Sequence, residues 1–162
     1  GFMIPTTGFK EILFCTDFSP NADNAFIYAC QMALVSPGAR MTILHVIPDP
    51  EAQFWNNYLP ELDHFEAQAR IDVTREIAER YVMPLNGEID AEIVILFGKD
   101  SAEILTYLQT HPVDLIVMGR QGKSEWGSLF FGNVTEKVSR HADCAVLIVP
   151  MSFVEKKQPN PV

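Results

Sequence analysis

Short apolar runs of strand length recur along this chain, each followed by a helical pattern, and this alternation restricts the fold more than any single motif. The runs fall at residues 11–16, 41–47, 91–97, 114–118 and 145–149 and are rich in Ile, Leu, Val and Met. Runs that short suit strands covered on both faces. Ser19 and Pro20 then open a helix, Ser19 as a cap and Pro20 at a first position that needs no N–H. Ala22, Ala25, Phe26, Ala29, Cys30 and Ala33 follow at helical spacing, and Ser36, Pro37 and Gly38 stop the pattern. After an irregular stretch at 48–60, a second helix carries Leu62, Phe65, Ala69, Val73, Ile77 and Tyr81 on one face, closed by Asn86 and Gly87. Asp100 or Ser101 caps a third helix through Ile104, Leu105 and Leu108, which stops before Pro112, and residues 134–141 form a fourth. The order β-α-β-α-β-α-β-α-β predicts right-handed crossovers and one open, doubly wound α/β domain. It is a five-stranded parallel sheet with helices on both faces. The domain is expected over residues 10–150, between terminal tails at 1–9 and 151–162, with no internal repeat.

In such sheets a ligand lies outside the carboxyl ends of the strands, where the strand order reverses. Candidate residues therefore follow each strand: Thr16 and Asp17, His45 to Pro48, Gly98, and Gly119 onward. Charge narrows the ligand class. The 162 residues hold 12 Lys+Arg against 21 Asp+Glu, a net charge of −9, which repels nucleic acid and anionic membranes over most of the surface. No apolar run reaches the ~18–20 residues of a membrane span, and no basic-then-apolar leader pattern opens the chain. Cys15, Cys30 and Cys144 share no paired spacing and read as reduced core thiols. The four histidines are scattered, so no metal site is expected.

The segment from Met118 to Lys137 runs against that acidic background. Gly119 and Gly122 follow the fourth strand directly, and Gly132 and Asn133 open the last helix. Glycines let backbone N–H groups approach an anion, and a helix N-terminus adds orphan donors and partial positive charge. Between residues 119 and 140, Arg120, Lys123, Lys137 and Arg140 outnumber Glu125 and Glu136. A small phosphorylated ligand fits this patch better than a polymer. Gly122, Lys123 and Ser124 resemble the end of a P-loop, but the glycine required five residues earlier is Val117, inside a strand.

Gly119, Gly122 and Gly132 reproduce the G-2x-G-9x-G(S/T) spacing of the universal stress protein family, which the chain resembles over residues 10–150. The run at 12–19 ending in Asp17, Phe18 and Ser19 agrees, as do Leu44, His45 and Val46, the run at 114–119, and the ending at 134–149. The resemblance implies ATP or a related adenine nucleotide as ligand, with Mg²⁺ bridging phosphates as the one metal that fits. Adenine would lie near Asp17 and Val46, and ribose and phosphates would lie along the glycine segments. The implied nucleotide site comprises Thr16, Asp17, Val46, Met118, Gly119, Arg120, Gly122, Lys123, Gly132, Asn133, Val134 and Thr135. It also implies a cytoplasmic homodimer with a regulatory or protective role in stress response, paired through the last strand at Val146 to Val149. An apolar strand at a sheet edge invites such pairing.

The chain departs from the pattern at Asn133, where the family has Ser or Thr. Its amide can donate to a phosphate, yet Asn133 with Glu136 is also a capping box, and the two roles can coexist. Asp17 can accept from an adenine amino group or serve as a turn former ahead of Ser19. Arg120 and Lys123 can be phosphate contacts or solvated charges, whereas Trp126, Phe130 and Phe131 read as packing. No nucleophile elbow or paired-carboxylate constellation is present, so no catalytic residue is assigned and at most slow ATP hydrolysis is expected. The alternative reading is an interaction module of the same fold that binds no nucleotide.

Overall fold

The computed structural model describes residues 1–5, 8–49, 59–120 and 131–153. Five parallel strands, β1 (Glu11–Cys15), β2 (Arg40–Ile47), β3 (Asp90–Phe97), β4 (Leu115–Arg120) and β5 (Ala145–Pro150), form one sheet in the order β3-β2-β1-β4-β5. The order reverses between β1 and β4, which pair with Leu13 beside Ile116. The Asp114 carboxylate fastens that junction by accepting the backbone N–H groups of Glu11 at 2.8 Å and Lys10 at 3.1 Å.

Side chains alternate across the sheet. Ile12 and Phe14 join one core layer with α1 (Pro20–Leu34) and the long α2 (Leu59–Ile77). Leu13 and Cys15 join the other with α3 (Asp100–Thr110) and α4 (Phe131–His141). The first layer contains a run of small residues, Ala22, Ala25, Ala29 and Ala33, so α1 lies close on the sheet. Ser19 Oγ accepts the Ala22 N–H at 3.2 Å, the cap expected from the sequence. Along the expected apolar face of α2, Val73, Ile77 and Tyr81 reach the core, while Phe65 is 47% exposed.

Helix α2 ends at the expected Asn86 through turns of another type, and the starts of α3 and α4 differ from expectation. Helix α2 continues into a π-helical turn (Ala78–Val82) and a 3₁₀ turn (Met83–Leu85), ending at Asn86 in the left-handed region with φ of 51°. Lys99, extended and without a side-chain bond, occupies the N-cap of α3, while Asp100 Oδ1 accepts the Ser101 N–H at 2.7 Å. Helix α4 begins at Phe131, so Asn133 lies inside its first turn, and Glu136 pairs with Arg140 at 2.9 Å, while the Asn133 side chain of the expected capping box lies outside the described residues. Phe9 and Phe153, from the two terminal stretches, pack against the first core layer and the Tyr28 ring respectively.

Candidate functional site

A cavity of about 390 Å³ opens at the carboxyl ends of β1 and β2, beside the strand-order reversal. Its volume lies in the range of small-molecule sites. Cys15, Leu44, Val46 and Ile104 supply apolar lining from the second core layer, and Asp17, Ser19, Lys99 and Asp100 add polar groups. A flat, largely apolar ligand portion carrying one or two polar edge groups matches that lining.

The β1–α1 loop forms one wall and is held at each residue. Thr16 donates its N–H to Leu44 O at 3.0 Å, and its carbonyl accepts His45 Nδ1–H at 2.7 Å. Thr16 Oγ1 accepts the Phe18 N–H at 2.9 Å, and Asp17 Oδ1 accepts the Ser19 N–H at 3.0 Å. Phe18 sits at φ of 64°, a left-handed conformation that costs a bulky residue of order 1–3 kcal/mol and persists only where neighbours enforce it. Its ring meets His45 at 4.6 Å and Tyr81 at 6.4 Å. Burial lowers the His45 pKa, against smaller opposing effects of the Thr16 carbonyl and Asp17, so the neutral ring donates through Nδ1.

Of the residues expected at a nucleotide site, Thr16, Asp17 and Val46 line the cavity, as do His45, Pro48 and Gly98 from the wider set of strand ends. Met118, Val134 and Thr135 are buried, and Arg120 is exposed at the end of β4. Gly119 is buried beneath the start of α1, where a Cβ would stand 2.6 Å from the Asn21 carbonyl carbon and 3.0 Å from Ala22 N. Its lack of a side chain therefore serves helix packing. Gly132 and Asn133 stand in the first turn of α4. Gly122, Lys123, Trp126 and Phe130 lie outside the described residues, as does the side chain of Asn133.

Sequence reasoning missed Lys99, Asp100 and Ile104 on the wall. Their signal was the glycine-bearing strand end at Gly98, whose φ of 143° turns the chain into α3. It also missed Arg80 and the polar role of Tyr81, which the spacing placed on the apolar face. Both side chains bond to the loop wall. Among the described residues no group of three or more His, Cys, Asp or Glu side chains could hold a metal ion, and no helix is long and apolar enough to cross a membrane.

The sequence profile of the Universal stress protein family matches residues 8–150. A curated relative from Thermus aquaticus, the universal stress protein in QAH/OAS sulfhydrylase 3′ region, is 34% identical over 142 residues, covering 87% of this chain and 98% of the relative. The solved universal stress protein UspA from Lactobacillus plantarum superimposes with a TM-score of 0.67 at 27% identity, covering 88% of this chain and 98% of that one. A universal stress protein family protein from Arabidopsis thaliana with AMP bound shares the fold, with a TM-score of 0.61 at 18% identity over 87% of this chain and 91% of that one.

Proposed function

Because this chain belongs to the universal stress protein family, we propose that it binds an adenine nucleotide, ATP or a close relative, in the cavity at the carboxyl ends of β1 and β2. The carrying observation is the cavity itself, about 390 Å³, with an apolar lining and the Asp17 carboxylate on its wall. Such a lining suits the faces of a purine, and a carboxylate beside it accepts from an exocyclic amino group. Asp17 Oδ1 already holds the Ser19 N–H, and among the described residues Oδ2 has no hydrogen-bond partner. The first turn of α4 offers orphan N–H groups for phosphate. The residues proposed for the ribose and phosphates are Met118, Gly119, Arg120, Gly122, Lys123, Gly132, Asn133, Val134 and Thr135. Mg²⁺ would arrive on the phosphates, since the described residues supply no carboxylate cluster for it. A protein of this fold that holds AMP supports the ligand class.

We further propose a cytoplasmic homodimer paired through β5, with a regulatory or protective role. The two sheet edges differ in a way that favours β5. Arg70 Nη1 donates to Ile95 O at 3.2 Å and lies 5.1 Å over the Phe97 ring, which blunts the β3 edge. The β5 edge carries Val146, Leu147 and Ile148 half-buried.

The test is to denature freshly purified protein and identify released nucleotide by mass spectrometry, with Gly132→Val as the control. Near-stoichiometric ATP that disappears in the variant supports the reading. A wild type that releases none and ignores added adenine nucleotides in calorimetry overturns it, and the interaction module, favoured by Asn133 at a position where the family has a hydroxyl, takes its place.

A further inference from the structure

The loop wall that carries Asp17 is gripped from outside the cavity by two consecutive residues, Arg80 and Tyr81. In an α-helix, sequence neighbours point about 100° apart. Arg80 and Tyr81 lie in the π-helical turn (Ala78–Val82), and both reach the same loop. Tyr81 O–H donates to Asp23 Oδ1 at 2.7 Å, and its oxygen lies 2.7 Å from Thr16 Oγ1. Because a carboxylate only accepts, the Tyr81 proton points to Asp23 and Thr16 donates to the Tyr81 oxygen. Thr16 Oγ1 meanwhile accepts the Phe18 N–H. The chain of bonds thus has one direction, from Phe18 through Thr16 and Tyr81 to Asp23.

Arg80 closes the ring. Its Nη2 donates to Phe18 O at 3.0 Å and to Asp23 Oδ2 at 2.5 Å, and its guanidinium lies 5.8 Å over the Phe18 ring. Phe18 is therefore bound at its N–H, its carbonyl and its ring, which is how an aromatic residue stays at φ of 64°. Asp17 sits between two fixed residues. The π-turns of helices are unfavourable alone and recur at functional sites, and the unit here joins a strained loop to a cavity wall.

We propose that Arg80 and Tyr81 are positioning residues of the nucleotide site, which clamp Thr16 and Phe18 so that Asp17 is set to receive the ligand's amino group before binding. This rests on the adenine-nucleotide reading above. Preorganisation of one acceptor affects a ligand that donates to it and leaves one that cannot. ATP donates through its 6-amino group, whereas inosine triphosphate carries a carbonyl at that place. The clamp therefore controls discrimination between the two, beyond any effect on stability.

The experiment measures ATP and inosine triphosphate affinities by calorimetry, with melting temperatures, for wild type, Asp17→Asn, Tyr81→Phe, Arg80→Lys and the Asp17→Asn/Tyr81→Phe pair. Arg80→Lys retains charge and loses the fork that spans Phe18 and Asp23, so it tests the idea should Tyr81→Phe fold poorly. Tyr81→Phe and Arg80→Lys are expected to weaken ATP by about tenfold, the scale of one hydrogen bond, and inosine triphosphate by less than about twofold. In the double variant, loss of the Tyr81 hydroxyl adds nothing to loss of the Asp17 carboxylate. If the variants melt earlier with the ATP preference intact, or the two losses add, the clamp is structural only and the proposal falls. A wild type that binds neither nucleotide overturns the nucleotide reading and this inference together. A wild type that binds ATP beside indifferent variants overturns this inference alone.

Discussion

Adding one methyl group at Gly119 tests how the sheet and the candidate site are joined. A Cβ there would meet the Asn21 carbonyl carbon at 2.6 Å and Ala22 N at 3.0 Å, against an ordinary contact near 3.4 Å. The shortfall is about 0.8 Å on the first atom. Both obstacles are backbone in the first turn of α1, so no side-chain rotation relieves the clash and the helix start must lift from β4. Gly119 does not have positive φ, so steric overpacking is the whole cost, about 2–3 kcal/mol at the upper end of such substitutions. With a urea m-value of about 2 kcal/mol/M, the unfolding midpoint of Gly119→Ala should fall by about 1–1.5 M with m unchanged. Gly38→Ala is the comparison. Gly38 has φ of 75° and nothing within 4 Å of a Cβ, so its cost is conformational alone, roughly 1–2 kcal/mol. Ser19 caps α1 and lines the cavity, so lifting the helix start also disturbs the wall and should weaken the proposed ATP binding. A Gly119→Ala protein that unfolds at the wild-type midpoint would refute the close approach of α1 to β4 and with it this coupling.

Three further outcomes follow from individual contacts. Burial holds His45 below its ordinary pKa, so the unfolded chain takes up the proton first and stability present above about pH 6.5 is lost as pH falls toward the folded value. Urea midpoints between pH 7.5 and 5 should therefore drop further for wild type than for His45→Asn, and parallel curves would contradict this. Asp114→Ala removes the acceptor for two backbone N–H groups at the β1–β4 junction and should cost about 1–2 kcal/mol in the same titration. Burial raises the pKa of all three cysteines, that of Cys30 to about 11, so at pH 8 Cys30 should react with a disulfide reagent at least about a hundredfold more slowly than free cysteine. Denaturant should release all three thiols, and a fast native phase would show an exposed thiolate.

The strands, the α1 cap and the Asn86 stop were readable because each is written in local spacing. Ser19 with Pro20 needs only its own turn, and the run at 114–118 needs only its neighbours. The cavity's place was also legible, because consecutive β1, β2 and β3 turn one way and β4 the other, and strand ends part at that reversal. What spacing does not carry is contact between distant segments. Arg80 and Tyr81 sit more than sixty positions from Thr16 and Phe18, and in a helical wheel Arg80 looks like one more solvated charge. Both reach the loop from a π-turn, and a π-turn leaves no sequence period of its own. Gly119 makes the same point from the other side. Its spacing to Gly122 marks it for a ligand in the proposed site, while its geometry shows α1 resting on it, so a substitution there would not separate packing from the proposed ligand contact. Asp17 separates them better. Its carboxylate lies on the cavity wall, one oxygen committed to the Ser19 turn, and replacing it by Asn keeps an oxygen for that turn while removing the second acceptor. A chain in which Asp17→Asn folds normally and loses its preference for an amino-bearing purine would place the site's chemistry on this single residue, and its stability on the residues around it.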